Sequence, residues 1–257
     1  MMRKVDHHVG IPLTFLATYW LKLIHWITRQ KPVTPKNILF VELSEMGSTI
    51  IADPAMKRAQ KHFNANLFFV IFKKNKPSLD LLKTIPQDNI FTLCEDNLFT
   101  LMRDAIRYLF WCRKHKIDTA IDLELFSRVS ALLTGFSGAN NRVGYHNFHG
   151  EGLYRGEMLT HKVSYNPHIH IAKNFISLIY ALEAKTAEVP FSKVLITDED
   201  TKLDQVTFTE AEQARIHKQS STVIWIMNKT NTVLFSLTPM QVTCCRNAVG
   251  RKRTSSS

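Results

Sequence analysis

The sequence predicts an α/β fold built on a Rossmann-like parallel sheet. Three observations carry that prediction. Short continuous apolar runs, Ile38–Leu43, Asn66–Phe72 and Thr119–Leu123, have strand length and are apolar on both sides, as strands covered on both faces are. Segments with helical spacing separate them, and such alternation gives parallel strands joined by right-handed crossovers. The first run leads straight into a glycine-containing turn and a helix, Glu42-Leu43-Ser44-Glu45-Met46-Gly47-Ser48-Thr49. In open α/β sheets that junction is where ligands bind, because free backbone N–H groups and the helix dipole point into the crevice.

Ahead of the sheet, residues 1–36 form a separate segment. Ile11–Ile27 is apolar and aromatic, with Tyr19, Trp20 and Trp26, interrupted by Lys22 and His25 and followed by Arg29 and Lys31. It is short for a membrane span, which needs about 20 apolar residues. Tryptophans with basic flanks suit a helix lying on an anionic membrane surface; a helix packed on the domain is the alternative. Lys31-Pro32-Val33-Thr34-Pro35 is a stiff break. Strand one is Ile38–Leu43. A helix over Thr49–His62 follows, with Pro54 in its first turns, where a missing N–H costs least. Asn66–Phe72 is strand two. A short helix at Ser78–Thr84 leads to a strand at Asn89–Leu93. The longest helix is expected at Asn97–Lys116, with Leu98, Leu101, Met102, Ala105, Leu109 and Cys112 at helical spacing. Thr119–Leu123 is a further buried strand, Ser127–Gly135 a small-residue helix, and Asn141–Tyr145 a strand. His146–Lys162 is polar, Gly- and His-rich, and expected as loop. Ile169–Ala184 returns to helix. The sheet domain is taken as residues 37–190, followed by an interdomain region, 191–217.

The formal net charge is +11, and it is uneven. Residues 218–257 hold six Lys/Arg and no Asp or Glu, so the rest of the chain is only mildly basic. Mild basicity suits an anionic partner such as a phospholipid surface, a lipopolysaccharide or a nucleotide. No zinc-finger spacing, RNP pattern or basic recognition helix is present, so no nucleic-acid partner is expected. The cysteines, Cys94, Cys112, Cys244 and Cys245, include no C-x-x-C pair and point to a reducing compartment. No small-residue cleavage site follows the N-terminal apolar run. No G-x-G-x-x-G marks a dinucleotide site.

Several short motifs then agree in order and spacing. Leu43-Ser44-Glu45-Met46-Gly47-Ser48 ends the first strand, and Asp53-Pro54-Ala55 lies in the helix after it. Asp122-Leu123-Glu124, the helix Ser127–Gly135, and Arg142-Val143-Gly144-Tyr145 follow. Over about residues 37–184 the chain resembles the family 9 glycosyltransferases, the lipopolysaccharide heptosyltransferases and their relatives. The resemblance implies the N-terminal half of a GT-B fold, two Rossmann-like domains around a cleft, with the acceptor on the first domain and the nucleotide sugar on the second. It implies transfer of a sugar from a nucleotide-sugar donor such as ADP-heptose to a lipopolysaccharide-type glycolipid. No metal and no cofactor are implied. The implied location is cytoplasmic, peripheral at the inner membrane of a Gram-negative bacterium. A non-catalytic, membrane-associated α/β binding module is the alternative, and sugar transfer separates the two.

The resemblance brings site candidates with it. The family carries an aspartate after the motif glycine as general base; here Ser48 stands in that place, and a serine cannot take a proton unaided at neutral pH. Glu45 in the same loop, or Asp53 one turn on, is the substitute; Asp53 reads equally as a helix cap before Pro54. Ser44, Met46, Gly47, Ser48 and Thr49 are the expected acceptor-binding loop, with Gly47 either admitting a ligand to the backbone or making the turn. Arg142 and Arg155 are expected either at acceptor phosphates or as surface charge. His146, His149, His161, His168 and His170 match no zinc spacing.

Residues 218–257 read differently from the rest. Shifting the reading frame by one base lets Thr230–Gly250 encode NKYRPFLINPNASDLLPQRRW, which resembles the opening of the family's second domain. The expectation is an out-of-frame, poorly ordered tail, and a chain lacking the donor-binding domain and inactive in transfer.

Overall fold

The computed structural model describes residues 10–28, 31–125, 127–146, 154–184 and 194–203. Expectations for 218–257 and for His149 fall outside them. The described residues belong to one compact unit, Met1–Asp204.

The chain begins with α1 (Gly10–Thr28), then β1 (Asn37–Val41), α2 (Met46–Ile51), α3 (Asp53–Phe63) and β2 (Asn66–Phe72). These are followed by α4 (Pro77–Leu82), β3 (Ile90–Leu93), α5 (Leu98–Lys114), β4 (Thr119–Asp122) and α6 (Arg128–Phe136). The last elements are β5 (Asn141–Tyr145), β6 (His161–Val163) and α7 (Ile171–Glu183). The six strands form one sheet in the order β3-β2-β1-β4-β5-β6, and every pairing is parallel. This is a Rossmann-like arrangement. The order turns back at β1, whose neighbours are β2 on one side and β4 on the other, so the carboxyl ends of β1 and β4 flank the crevice of the fold.

Side chains alternate across the sheet. Ile38, Phe40, Leu67, Phe69 and Ile71 meet Met56 and Ala59 of α3 and Phe175, Ile176, Leu178 and Ile179 of α7. Leu39, Val41, Phe68 and Val70 meet Tyr108 and Cys112 of α5 and Leu133 of α6. Each large side chain buried this way contributes about 1.5–3 kcal/mol. The Tyr108 hydroxyl, buried with its ring, donates to the Leu133 carbonyl oxygen at 3.1 Å, which ties α5 to α6.

Several details differ from the sequence expectation. The helix at Thr49–His62 is two helices, meeting at Ala52 just before Pro54, whose ring cannot extend a helix running in from Met46. A sixth strand, β6, lies inside and just beyond the expected loop. Among the described residues the longest helix is α1, at 19 residues against 17 for α5. On α5, Leu98 and Met102 are exposed; the inward face carries Asp104, Tyr108 and Cys112.

α1 packs on α6 through small residues. Ala17 meets Ala131 and Met158, with Leu21, Leu132 and Phe136 around them. The Thr18 hydroxyl oxygen accepts from the Glu157 N–H at 2.9 Å. Gly156 makes this contact, with φ +80° and only 2.7 Å from its virtual Cβ to Thr18 Oγ1, so a larger residue is excluded twice over. No described helix is long and apolar enough to cross a membrane.

Candidate active site

The loop between β1 and α2 is fixed from below by a carboxylate on the neighbouring strand's exit. Glu124, two residues past β4, accepts from the Leu43 N–H at 3.0 Å, the Ser44 N–H at 2.8 Å and the Ser44 hydroxyl at 2.6 Å, all on one oxygen. From the other side the Asn75 amide donates to the Leu43 carbonyl at 2.7 Å. Ser44 and Glu45 are thereby presented at the crevice, and both are exposed.

Glu45 is the N-cap residue of α2 in extended conformation, but its carboxylate makes no capping bond. Its carbonyl oxygen instead accepts from the Ser48 and Thr49 hydroxyls, each at 3.0 Å. Met46 and Ser48 are half-buried and Thr49 is buried. Gly47 lies in the first turn of α2 with nothing within 4 Å of where a Cβ would stand. The turn itself does not require glycine, and open space faces the backbone there.

Asp53 is placed differently. It is 1% exposed, pairs with Lys57 Nζ at 2.6 Å one turn along α3, and accepts from the Thr84 hydroxyl. Its carboxylate is closed off by the fold, while that of Glu45 is open.

A buried polar network extends from Glu124 beneath the crevice. Arg155 donates through Nε to the Ser127 carbonyl at 2.9 Å, through Nη1 to the Glu124 carbonyl at 2.7 Å, and through Nη2 to Ser130 Oγ at 2.9 Å and to Asp122. Burial pushes the Asp122 carboxyl up to about 6, against the pull of the Arg155 guanidinium. Glu42, buried at the end of β1, is pushed up to about 9 by burial first and then by the negative charge of Glu124; a hydrogen bond with Ser48 works the other way. At neutral pH Glu42 is therefore protonated and shares a hydrogen bond with Glu124.

Three carboxyl groups thus meet at the exits of β1 and β4. Sequence reasoning nominated none of the three as site residues. One signal was available for Glu42, an acid closing an otherwise apolar strand.

Arg142 and Arg155 are not surface charges. Arg142 is 7% exposed and donates to the Met158 carbonyl at 2.6 Å and the Ala139 carbonyl at 2.7 Å. The structure joins Ser44, Glu124 and Arg155 in one network. Asp53 and Arg142 are held by other partners.

Beside this network lies a cavity of about 290 Å³ at the ends of β4, β5 and β6, lined among others by Asp122, Tyr145, His146, Arg155, Glu157 and Lys162. Glu157 pairs with His146 Nε2 at 3.0 Å and with Lys162. Burial pulls His146 below its ordinary value, with the charge of Lys162 adding to the effect, so it is neutral at pH 7. The buried Tyr145 hydroxyl lines the same cavity and has no hydrogen-bond partner among the described residues. Buried hydroxyls are ordinarily paired, so this one is an exception at the wall of the cavity. Among the described residues no three His, Cys, Asp or Glu side chains are grouped to hold a metal ion.

The class these features define is a Rossmann-like α/β domain with a polar crevice at the point where the strand order turns back. No protein-family model matches the sequence, and no curated protein matches it. Solved structures do match. The chain is similar to the ADP-heptose LPS heptosyltransferase II of E. coli, with 17% identity and a TM-score of 0.53, over 72% of this chain and 50% of that one. It is also similar to the family 9 glycosyl transferase of Veillonella parvula DSM 2008, with 13% identity and a TM-score of 0.50, over 75% of this chain and 51% of that one. The fold is heptosyltransferase-like, and the chain spans about half the length of the solved structures it matches.

Proposed function

We propose that residues 37–190 are the acceptor-binding half of a family 9 glycosyltransferase, which moves a sugar from a nucleotide-sugar donor of the ADP-heptose kind to a lipopolysaccharide-type glycolipid. The observation that carries the reading is the Ser44–Thr49 loop. It is pinned by Glu124, opens on the crevice between β1 and β4, and sits in a fold shared with sugar transferases.

In this reading the acceptor lies along Ser44, Met46, Gly47, Ser48 and Thr49, with the cavity beside Tyr145 taking part of its sugar. Arg155 and Arg142 shape that surface by anchoring the segment from residue 154 to 160. The acceptor hydroxyl attacks the anomeric carbon, the bond to the nucleotide diphosphate breaks, and a carboxylate takes the hydroxyl proton. Glu45 is our candidate for that carboxylate, because it is exposed where Asp53 is enclosed. The donor's diphosphate leaves from a second domain. Residues 191–217 are the interdomain region that leads toward it. The protein works peripherally at the cytoplasmic face of the inner membrane, with residues 1–36 as its attachment.

Replacing Gly47 tests the loop without disturbing the fold, because no atom stands within 4 Å of the new side chain. Gly47→Leu is expected to weaken binding of a phosphorylated core glycolipid about tenfold, by filling the space a ligand occupies, while the melting temperature stays within a few degrees of the parent. Unchanged glycolipid affinity would remove the loop from the acceptor site.

A further inference from the structure

Twenty large hydrophobic side chains are exposed among the described residues, and they are concentrated: eight are on α1 and five on α5. The α5 group is Leu98, Phe99, Met102, Ile106 and Phe110. From Leu98 onward these recur every four residues, so they form a stripe along the helix rather than a scatter. Phe99 and Phe110 are 79% and 71% exposed, whereas the inward side of the same helix is fully packed around Tyr108 and Cys112. The stripe therefore does not serve the core.

The stripe is not isolated on the molecule. α5 and α1 both pack against α6, and α6 lies on the sheet face that carries Leu39 and Val41. Both helices thus pack against the same neighbour, on the side of the sheet that α6 covers. The exposed charges on the two helices themselves have one sign, with the acids Asp96 and Glu157 at their margins. α1 contains Lys22 and no acid; α5 contains Arg103, Arg107, Arg113 and Lys114, and its one acid, Asp104, is buried beneath Arg103 and Arg107. Arg103 and Arg107 keep more than half of their side-chain surface exposed even so. Apolar and aromatic side chains bordered by cations complement an anionic lipid surface, where the rings enter the headgroup boundary and the cations meet phosphate.

We propose that α5 is a second membrane-docking element, which lays Leu98, Phe99, Met102, Ile106 and Phe110 into the same anionic bilayer surface as α1. The proposal rests on the membrane-attached reading of the N-terminal segment and adds a second contact to it. One interfacial helix fixes the protein at the membrane but leaves it free to turn about that helix. Two helices flanking α6 fix its orientation as well.

The test is co-sedimentation of the full chain with vesicles of phosphatidylcholine, with and without phosphatidylglycerol. Two double variants are compared with the parent: Phe99→Ser with Phe110→Ser on α5, and Trp20→Ser with Trp26→Ser on α1. Circular dichroism and melting confirm that each keeps its fold, and sedimentation velocity reports self-association. The expected result is binding of the parent to anionic vesicles, with a loss of about tenfold or more in each double variant. If only the α1 variant loses binding, the α5 proposal is overturned and the attachment by α1 stands. If the parent ignores both vesicle types, both readings fail. If the α5 variant binds vesicles as the parent does but dissolves a dimer, the stripe is a contact between copies of the chain and the proposal is overturned.

Discussion

The two faces of the sheet are packed alike on the inside and finished differently on the outside. On one face α3 and α7 bury Met56, Ala59, Phe175 and Ile179 against the strands. The outward side of α3 is charged, with Lys57, Arg58, Lys61 and His62, and Arg58 and His62 approach Glu183 of α7 at 3.7 and 3.6 Å. On the other face α5 and α6 bury Tyr108, Cys112 and Leu133 just as well, yet α5 turns a row of apolar side chains outward. Core packing therefore cannot explain the difference. The outward chemistry of the second face is an additional property of the sequence, and the strand ends between the two faces hold a third environment, the buried carboxyl cluster.

The largest expected effects lie where the two faces are equivalent. Phe69→Ala and Phe175→Ala remove fully buried rings and should each cost about 3–5 kcal/mol of unfolding free energy in denaturant titrations. Phe99→Ser and Phe110→Ser should each change stability by less than about 0.5 kcal/mol. A large loss for Phe99 or Phe110 would mean that the stripe is part of the core after all, and the contrast between the faces would collapse.

Arg155→Ala comes next. It leaves Asp122 buried without its counter-charge and strips donors from the Glu124 and Ser127 carbonyls. A loss of about 3 kcal/mol is expected at alkaline pH, and it should shrink as pH falls toward about 6, because without the guanidinium Asp122 takes its proton at a higher pH than in the parent; below about 6, where the parent's Asp122 is protonated as well, the loss levels off. A loss independent of pH would show that the arginine acts through the backbone bonds alone.

Glu42 gives an effect of opposite sign, confined to alkaline pH. Its folded-state pKa, about 9, is above the ordinary 4.5, so its contribution to stability is full below about pH 4.5 and is lost as pH rises toward 9. Glu42→Gln keeps a donor for Glu124 and removes the titration. The variant should be more stable than the parent at pH 8, by several kcal/mol if the full shift is expressed, and equal to it near pH 4. Equal pH profiles would contradict a protonated Glu42.

Glu45→Gln should leave stability unchanged, because the side chain is exposed and caps nothing. In a form of the protein that transfers sugar, the same substitution should lower transfer by about 100-fold if Glu45 is the base.

Much of this architecture is legible in the sequence, for identifiable reasons. β2 and β5 match their expected limits, because each is bounded by polar turn residues. β6 escapes, since His161-Lys162-Val163 is a short polar edge strand whose pairing with β5 is set by distant segments. The break at Ala52 was signalled by Pro54, but the ring position alone does not say whether a helix starts there or merely continues. For α5, helical spacing identifies a helix and an apolar stripe, but not which apolar residues turn inward; Asp104 goes inside because the Cys94 N–H needs an acceptor, and Leu98 and Met102 stay out.

The site shows the same limit. The glycine loop and the Asp122-Leu123-Glu124 segment are visible as motifs, and the sheet order brings them together. That Glu124 holds Ser44, or that Thr84 closes over Asp53, depends on contacts 80 and 31 residues apart in sequence. No local pattern encodes them.

The central claim is that the crevice at the exits of β1 and β4 takes a glycolipid acceptor. Backbone amide shifts of the isotope-labelled chain, followed during titration with a phosphorylated core oligosaccharide, test it most directly. The account predicts saturable shifts confined to residues 44–49 and to Tyr145, His146 and Lys162 around the cavity. Saturable shifts elsewhere on the sheet, with residues 44–49 unmoved, would contradict it.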